Sequence, residues 1–89
     1  MRFINDAGHG WLEVSLVTHP EAINYGTGFG YIDTDREKIY LEEDCEALAY
    51  LRWLFSGDLS KARLLDACIV EGDSPIRALP HNENRLQVA

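Results

Sequence analysis

The stretch Lys38-Ile39-Tyr40-Leu41-Glu42-Glu43-Asp44-Cys45-Glu46-Ala47-Leu48-Ala49-Tyr50-Leu51-Arg52-Trp53-Leu54-Phe55-Ser56-Gly57 contains the change of periodicity that decides the fold. Lys38 to Leu41 is a short run rich in aromatic and branched residues, which suits a strand. Beyond the acids the spacing lengthens. Ala47, Leu48, Leu51, Leu54 and Phe55 recur at three and four residues and form the apolar stripe of an α-helix, with Tyr50 and Trp53 flanking it. Asp44 fits the N-cap, where a side-chain oxygen accepts a backbone N–H. Gly57 fits the C′ position, where left-handed backbone is needed.

Working outward, Phe29 to Asp33 pairs with Lys38 to Leu41 as a hairpin, and the polar run Thr34-Asp35-Arg36-Glu37 is its loop. Trp11 to Val17 alternates: Leu12, Val14 and Leu16 point one way, Glu13 and Ser15 the other, as in a half-buried strand. Pro20 ends it, because proline cannot donate to a ladder. Phe3-Ile4 reads as a short first strand and Asn5 to Gly10 as a turn. After Gly57, Leu59 to Ala67 reads as a short second helix and Cys68 to Glu71 as a last strand. Ser74 and Pro75 suit the opening of one helical turn. His81 to Ala89 reads as a loose polar tail. The order predicts an α+β domain over 1–89: a small antiparallel sheet packed against one main helix, with a short second helix. The expected core is Leu12, Val14, Leu16, Ile32, Leu48, Leu51 and Leu54.

Eighty-nine residues suit one domain. Such a chain buries only about two-thirds of its unfolded surface, and a homodimer is one remedy for so small a core. A hydrophobic fraction of 46% argues against disorder. The N-terminus turns polar after Phe3-Ile4, so no signal-peptide core is expected, and no apolar run approaches the roughly 20 residues of a membrane span. A cytoplasmic protein is the expectation. In that setting Cys45 and Cys68 read as buried thiols rather than a disulfide.

Charge is the strongest global feature. Eight Lys and Arg stand against fifteen Asp and Glu, a net charge of −7. Such a surface repels nucleic-acid phosphates and anionic lipid, and is complementary to basic protein surfaces. Seven acids lie between Asp33 and Glu46 (Asp33, Asp35, Glu37, Glu42, Glu43, Asp44, Glu46), opposed by Arg36 and Lys38. Carboxylates at a helix N-terminus interact favourably with its dipole, by roughly 0.3–1 kcal/mol each. That accounts for one or two acids more easily than for four that also repel one another. The remainder fits a strip imitating a row of phosphates.

Other motifs are weaker. Tyr25-Gly26-Thr27-Gly28-Phe29-Gly30-Tyr31 has the glycine content of a phosphate loop, but it lacks the Lys-Ser/Thr ending and leads into a strand. Close backbone approach is the better reading. His9, His19 and His81 are scattered with no HxxxH, HExxH or CxxC pairing, so neither a metal nor a cofactor is expected. No Ser or Cys stands on a nucleophile elbow, so no catalytic residue is assigned. The aromatics Trp11, Tyr25, Phe29, Tyr31 and Tyr40 read mainly as cross-strand packing. Tyr31 or Tyr40, if exposed, would suit a protein contact.

Two segments, Asp6-Ala7-Gly8-His9-Gly10-Trp11-Leu12-Glu13-Val14 and Tyr40-Leu41-Glu42-Glu43-Asp44-Cys45-Glu46-Ala47, with the turn Gly72-Asp73-Ser74-Pro75-Ile76-Arg77, resemble small proteins carried by phages and mobile elements. The resemblance implies a setting and no reaction: small acidic phage proteins are often inhibitors of host defence, anti-CRISPR proteins among them. The expected function is a non-catalytic, phage-type inhibitor that occupies the basic nucleic-acid-binding site of a host protein complex. Its contact residues would be Asp33, Asp35, Glu37, Glu42, Glu43, Glu46, Tyr31 and Tyr40. The alternatives are a small enzyme or metal-dependent module using His9, Asp6 and the carboxylates near Asp44, and a virion accessory protein. A concave site joining His9 to carboxylates would favour the enzyme; a flat or convex acidic face would favour the inhibitor.

Overall fold

The computed structural model describes residues 1–6, 8–69 and 75–83. Its strands are β1 (Arg2–Asn5), β2 (Gly10–Ser15), β3 (Tyr31–Asp33), β4 (Lys38–Glu42) and β5 (Asp66–Ile69). They form one sheet in the order β3-β4-β2-β1-β5. The main helix, α1, spans Glu46–Leu54, and 3-10 turns occupy Pro20–Tyr25, Leu59–Leu64 and Pro75–Ala78. The class is therefore α+β. The sheet is antiparallel except at β5, which runs parallel to β1. A parallel neighbour needs a long crossover, and α1 with the Leu59–Leu64 turn supplies one before β5. The expected second helix is that short 3-10 turn.

Register follows the apolar pattern. Leu12 lies opposite Leu41 and Val14 opposite Ile39. These four pack with Ala22, Ala47, Tyr50 and Leu51 into the main core on the helix side. Leu16, Ile32, Leu48 and Leu54 are only half-buried. Along α1 the buried stripe is Glu46, Ala47, Tyr50 and Leu51. It is rotated toward Tyr50, whose hydroxyl donates to Glu21 (3.1 Å). That partner lets the tyrosine take a buried position. Trp53 stays exposed.

The opposite face is covered as well, which the alternation in β2 did not predict. Ile4, Trp11, Tyr40 and Ile76 form a second buried cluster, flanked by Tyr31, Cys68 and Leu79. The Pro75–Ala78 turn brings Ile76 there, so Trp11 is only 2% exposed. Residues 80–82 then run along the free edge of β3. The Ile32 amide donates to the Pro80 carbonyl (2.9 Å), the Asn82 amide donates to the Gly30 carbonyl (3.1 Å), and Tyr31 bridges His81. The first part of the expected loose tail is thus docked; residues 84–89, and Val70 to Ser74 of the expected strand end and turn, lie outside the described residues.

The helix ends are each one residue from expectation. Cys45, not Asp44, is the N-cap, and it makes no side-chain cap. The Glu42 carboxylate instead accepts from the amides of Asp44 (3.1 Å) and Cys45 (3.0 Å). At the other end Ser56 takes the left-handed C′ position (φ 53°) and Gly57 follows it. The Gly57 amide donates to the Arg52 carbonyl (2.8 Å) and the Ser56 amide to that of Trp53 (3.3 Å), the paired bonds of a Schellman ending. Both cysteines are free, and Cys45 is exposed rather than buried because it stands at the outside of the β4–α1 turn.

Two outcomes test this packing by urea denaturation. Leu51→Ala should lower stability by roughly 2–5 kcal/mol, since Leu51 is buried in the main core. Ser56→Gly should raise it, by up to about 1 kcal/mol, by relieving a left-handed non-glycine residue.

Candidate functional site

Glu46 is the first residue of α1, and its carboxylate turns inward. One oxygen, Oε2, accepts from the Thr27 amide (2.7 Å), the Thr27 hydroxyl (2.6 Å) and the Phe29 amide (3.2 Å). The other, Oε1, accepts from the Glu42 amide (3.0 Å) and from Asn82 Nδ2 (2.7 Å). The glycine-rich stretch is thus an anion cradle, and the anion it holds is the chain's own Glu46. Its glycines are required by close approach. A Cβ at Gly26 would fall on the Asn82 carbonyl oxygen, and one at Gly30 on the Tyr40 carbonyl oxygen. The Asn82 side chain completes the knot: Nδ2 also donates to the Tyr40 carbonyl (3.2 Å), and Oδ1 accepts from the Gly28 amide (3.0 Å).

Burial raises the Glu46 pKa, but the hydrogen bonds from the Thr27 hydroxyl, Asn82 and the amides of Glu42 and Thr27 outweigh it and hold the carboxyl below its ordinary 4.5. Glu46 is 2% exposed and is not available to a partner. Tyr40 must also be removed from the expected contact residues. It is buried between strands with its hydroxyl donating to Glu13 (3.1 Å). Burial and the neighbouring Glu13 charge push its pKa up to about 12.

The remaining acids fall into two groups. Asp33, Asp35 and Glu37 sit at the β3–β4 hairpin; Asp33 is half-buried and the other two are exposed. Glu42, Glu43 and Asp44 sit at the opposite end of β4, which leaves roughly 13 Å of strand between the groups. The expected continuous strip is therefore interrupted by the buried residues Ile39, Tyr40 and Leu41.

Among the described residues, four bases are engaged in ion pairs. Arg2 (3.0 Å) and Lys38 (3.6 Å) flank Glu13, Arg36 meets Asp33 (3.8 Å) and Arg77 meets Asp6 (2.8 Å). Burial raises the Glu13 pKa, but the bonds from Arg2 and Tyr40 and the charge of Lys38 bring it below the ordinary range. Among the described residues, Asp35, Glu37, Glu42, Glu43 and Asp44 form no ion pair.

A cavity of about 300 Å³ opens at the helix entrance, lined by His9, Phe29, Glu42, Asp44 and Cys45. Phe29 is 67% exposed although it stands within the glycine loop, because its amide and not its ring is what the loop uses. It takes the place of Tyr40 as the exposed aromatic of this face. Tyr31 is half-buried and stacks on His81 (4.8 Å). A second cavity, about 410 Å³, lies between the hairpin and the C-terminal turn, lined by Asp33, Asp35, Arg36, Tyr40, Pro75, Ile76 and Leu79.

Asp6 and His9 are placed by a different need. The Asp6 side chain is fully covered and accepts from the amides of Gly8 and His9 (3.0 Å each) and from Arg77 Nε (2.8 Å) and Nη2 (3.0 Å). This ties the β1–β2 turn to the C-terminal turn. Arg77 Nη2 can only donate, so His9 Nδ1, 3.1 Å away, is the acceptor and the ring proton sits on Nε2. The Arg77 guanidinium also lies 5.2 Å from the centre of the Trp11 ring. Among the described residues no hydrogen bond joins His9 to Cys45, Glu42 or Asp44, and no three His, Cys, Asp or Glu side chains are grouped to hold a metal ion. No helix among them is long and apolar enough to cross a membrane.

No protein-family model, curated protein or solved structure matches the chain. Its function must be read from the geometry above.

Glu46→Gln tests the cradle. An amide in that place turns a donor toward other donors, and stability at pH 7 should drop by roughly 2–4 kcal/mol. Because the folded-state pKa is depressed, the carboxylate's contribution is complete above about 4.5 and is lost as pH falls through the lower, folded value. The variant's stability should therefore change less with pH on the acid side, measured by urea unfolding across that range.

Proposed function

We propose that the chain is a non-catalytic binding protein of the phage-inhibitor type, which presents its acidic helix entrance to a basic, nucleic-acid-binding surface of a host protein complex. The observation that carries this reading is the set of three successive carboxylates, Glu42, Glu43 and Asp44, without an ion pair among the described residues and beside the exposed ring of Phe29. Charge of this density steers a basic partner, and an exposed aromatic supplies the apolar anchor that charge alone lacks. The hairpin acids Asp35 and Glu37 extend the same field. The anti-CRISPR version of the reading rests on the sequence resemblance.

A second reading, a small enzyme, is favoured by one observation: the 300 Å³ cavity brings His9 and Cys45 beside Glu42 and Asp44. The missing hydrogen bond between thiol and imidazole weighs against it, since a thiol nucleophile needs its base within reach.

The test uses Glu43→Lys with Asp44→Lys. Glu42 is spared because it caps the turn, and Glu46 because it is buried. The partner is first captured from host lysate on the wild-type chain. The double variant should keep its melting temperature within a few degrees and bind that partner at least about tenfold more weakly, a loss expected of like charges set against a basic site. Wild-type binding should weaken as salt rises. Equal affinity for both proteins with no salt dependence sinks the acidic-contact mechanism. Loss of the biological effect in Cys45→Ala, with partner binding retained, moves the assignment to the second reading.

A further inference from the structure

We propose that residues 75–83 form a strap that opens as a unit of its own, locked by the Glu46–Asn82 contact, and that opening uncovers both the edge of β3 and the Trp11–Tyr40 face of the sheet. The inference is independent of the function proposed above.

Two observations separate the strap from the rest of the fold. Its apolar residues, Ile76 and Leu79, belong to the second cluster with Ile4, Trp11 and Tyr40, while the main core contains none of the strap. The helix-side packing of Leu12, Val14, Ile39, Leu41, Tyr50 and Leu51 is therefore complete without it. Its backbone bonds to the sheet run along an edge, to Ile32 and Gly30, rather than within the β2–β4 ladder. A segment that lies outside the main core and whose backbone pairs with the sheet at an edge opens at a lower free energy than the whole domain.

The lock is the Asn82 side chain. It is 2% exposed, and both ends of the amide are used: Nδ2 by Glu46 and the Tyr40 carbonyl, Oδ1 by the Gly28 amide. Pulling it out leaves a buried carboxylate one donor short and a loop amide without its acceptor, so the strap is held at one point more strongly than along its length. The Arg77–Asp6 pair is the second fastening. What the strap covers is a strand edge with its N–H and C=O groups, a surface that readily accepts an added strand, beside an aromatic face. Residues 80–82 act as the internal occupant of that edge.

Two measurements decide the matter. The first is native-state hydrogen exchange on the wild-type chain. The Ile32 and Asn82 amides, which bond across the strap, should exchange through an opening smaller than the one that frees the β2–β4 ladder. Exchange of both only with global unfolding overturns the proposal. The second uses thiol labelling in Cys45→Ser, where Cys68, half-buried against the second cluster that contains Ile76, reports the opening. Asn82→Asp sets a second carboxylate against Glu46 and should raise the Cys68 labelling rate about tenfold or more. The β2–β4 amides should keep their protection. A rate that is unchanged, or that rises only in step with global unfolding, overturns the lock.

Discussion

A buried carboxylate with no cation against it among the described residues has to find hydrogen-bond donors, and the arrangement of this chain follows from where Glu46 finds five of them. Two come from Thr27, one from the Phe29 amide, one from the turn out of β4 and one from a residue far along the chain. Each donor fixes a different piece: the glycine loop, the β4–α1 corner and the C-terminal segment converge on one group at the positive end of α1. Glycine at 26 and 30 is then a requirement of distance, because the loop must pass close to Asn82 and Tyr40. The same convergence sets the outer surface. With Glu46 drawn inside, its neighbours Glu42, Glu43 and Asp44 are left around the entrance and Phe29 is turned outward.

Charge is distributed by the same logic. The face of the sheet opposite α1 is partly polar, and there Glu13 collects Arg2, Lys38 and the Tyr40 hydroxyl, while Asp6 collects Arg77. An uncompensated buried charge is far more costly than an exposed one, so Asp6 and Glu13 take bases while Glu46 is held by hydrogen-bond donors. The helix entrance receives no base among the described residues. Its negative field is thus a consequence of how the interior is satisfied as much as of composition, and it is this field that a basic partner would meet.

Much of the fold was legible. The alternation at Leu12 and Val14, the hairpin around Thr34 to Glu37 and the helix before Ser56 each rest on local periodicity, which a single sequence carries. The site was legible only in part. The acids at 42–44 were visible as charge, but Glu46 looked like one more of them. Nothing local distinguishes a carboxylate facing solvent from one facing a loop 17 to 19 residues upstream. Phe29 had a faint signal, an aromatic ring among glycines. Asn82 had none, since a polar residue in a polar tail resembles every other.

Composition, charge and period by themselves determined that this chain is a small acidic α+β domain with a helix after a hairpin, because those properties depend on near neighbours. The tertiary structure alone decided that β5 runs parallel to β1, that the sheet is covered on both faces, and that the phosphate-loop-like glycines hold the chain's own carboxylate. Those outcomes depend on contacts such as Asn82 with Glu46 and Arg77 with Asp6, formed between residues 36 and 71 positions apart. Burial of a polar group is settled by which partners the whole fold can bring to it, and that is fixed only when the chain has closed on itself.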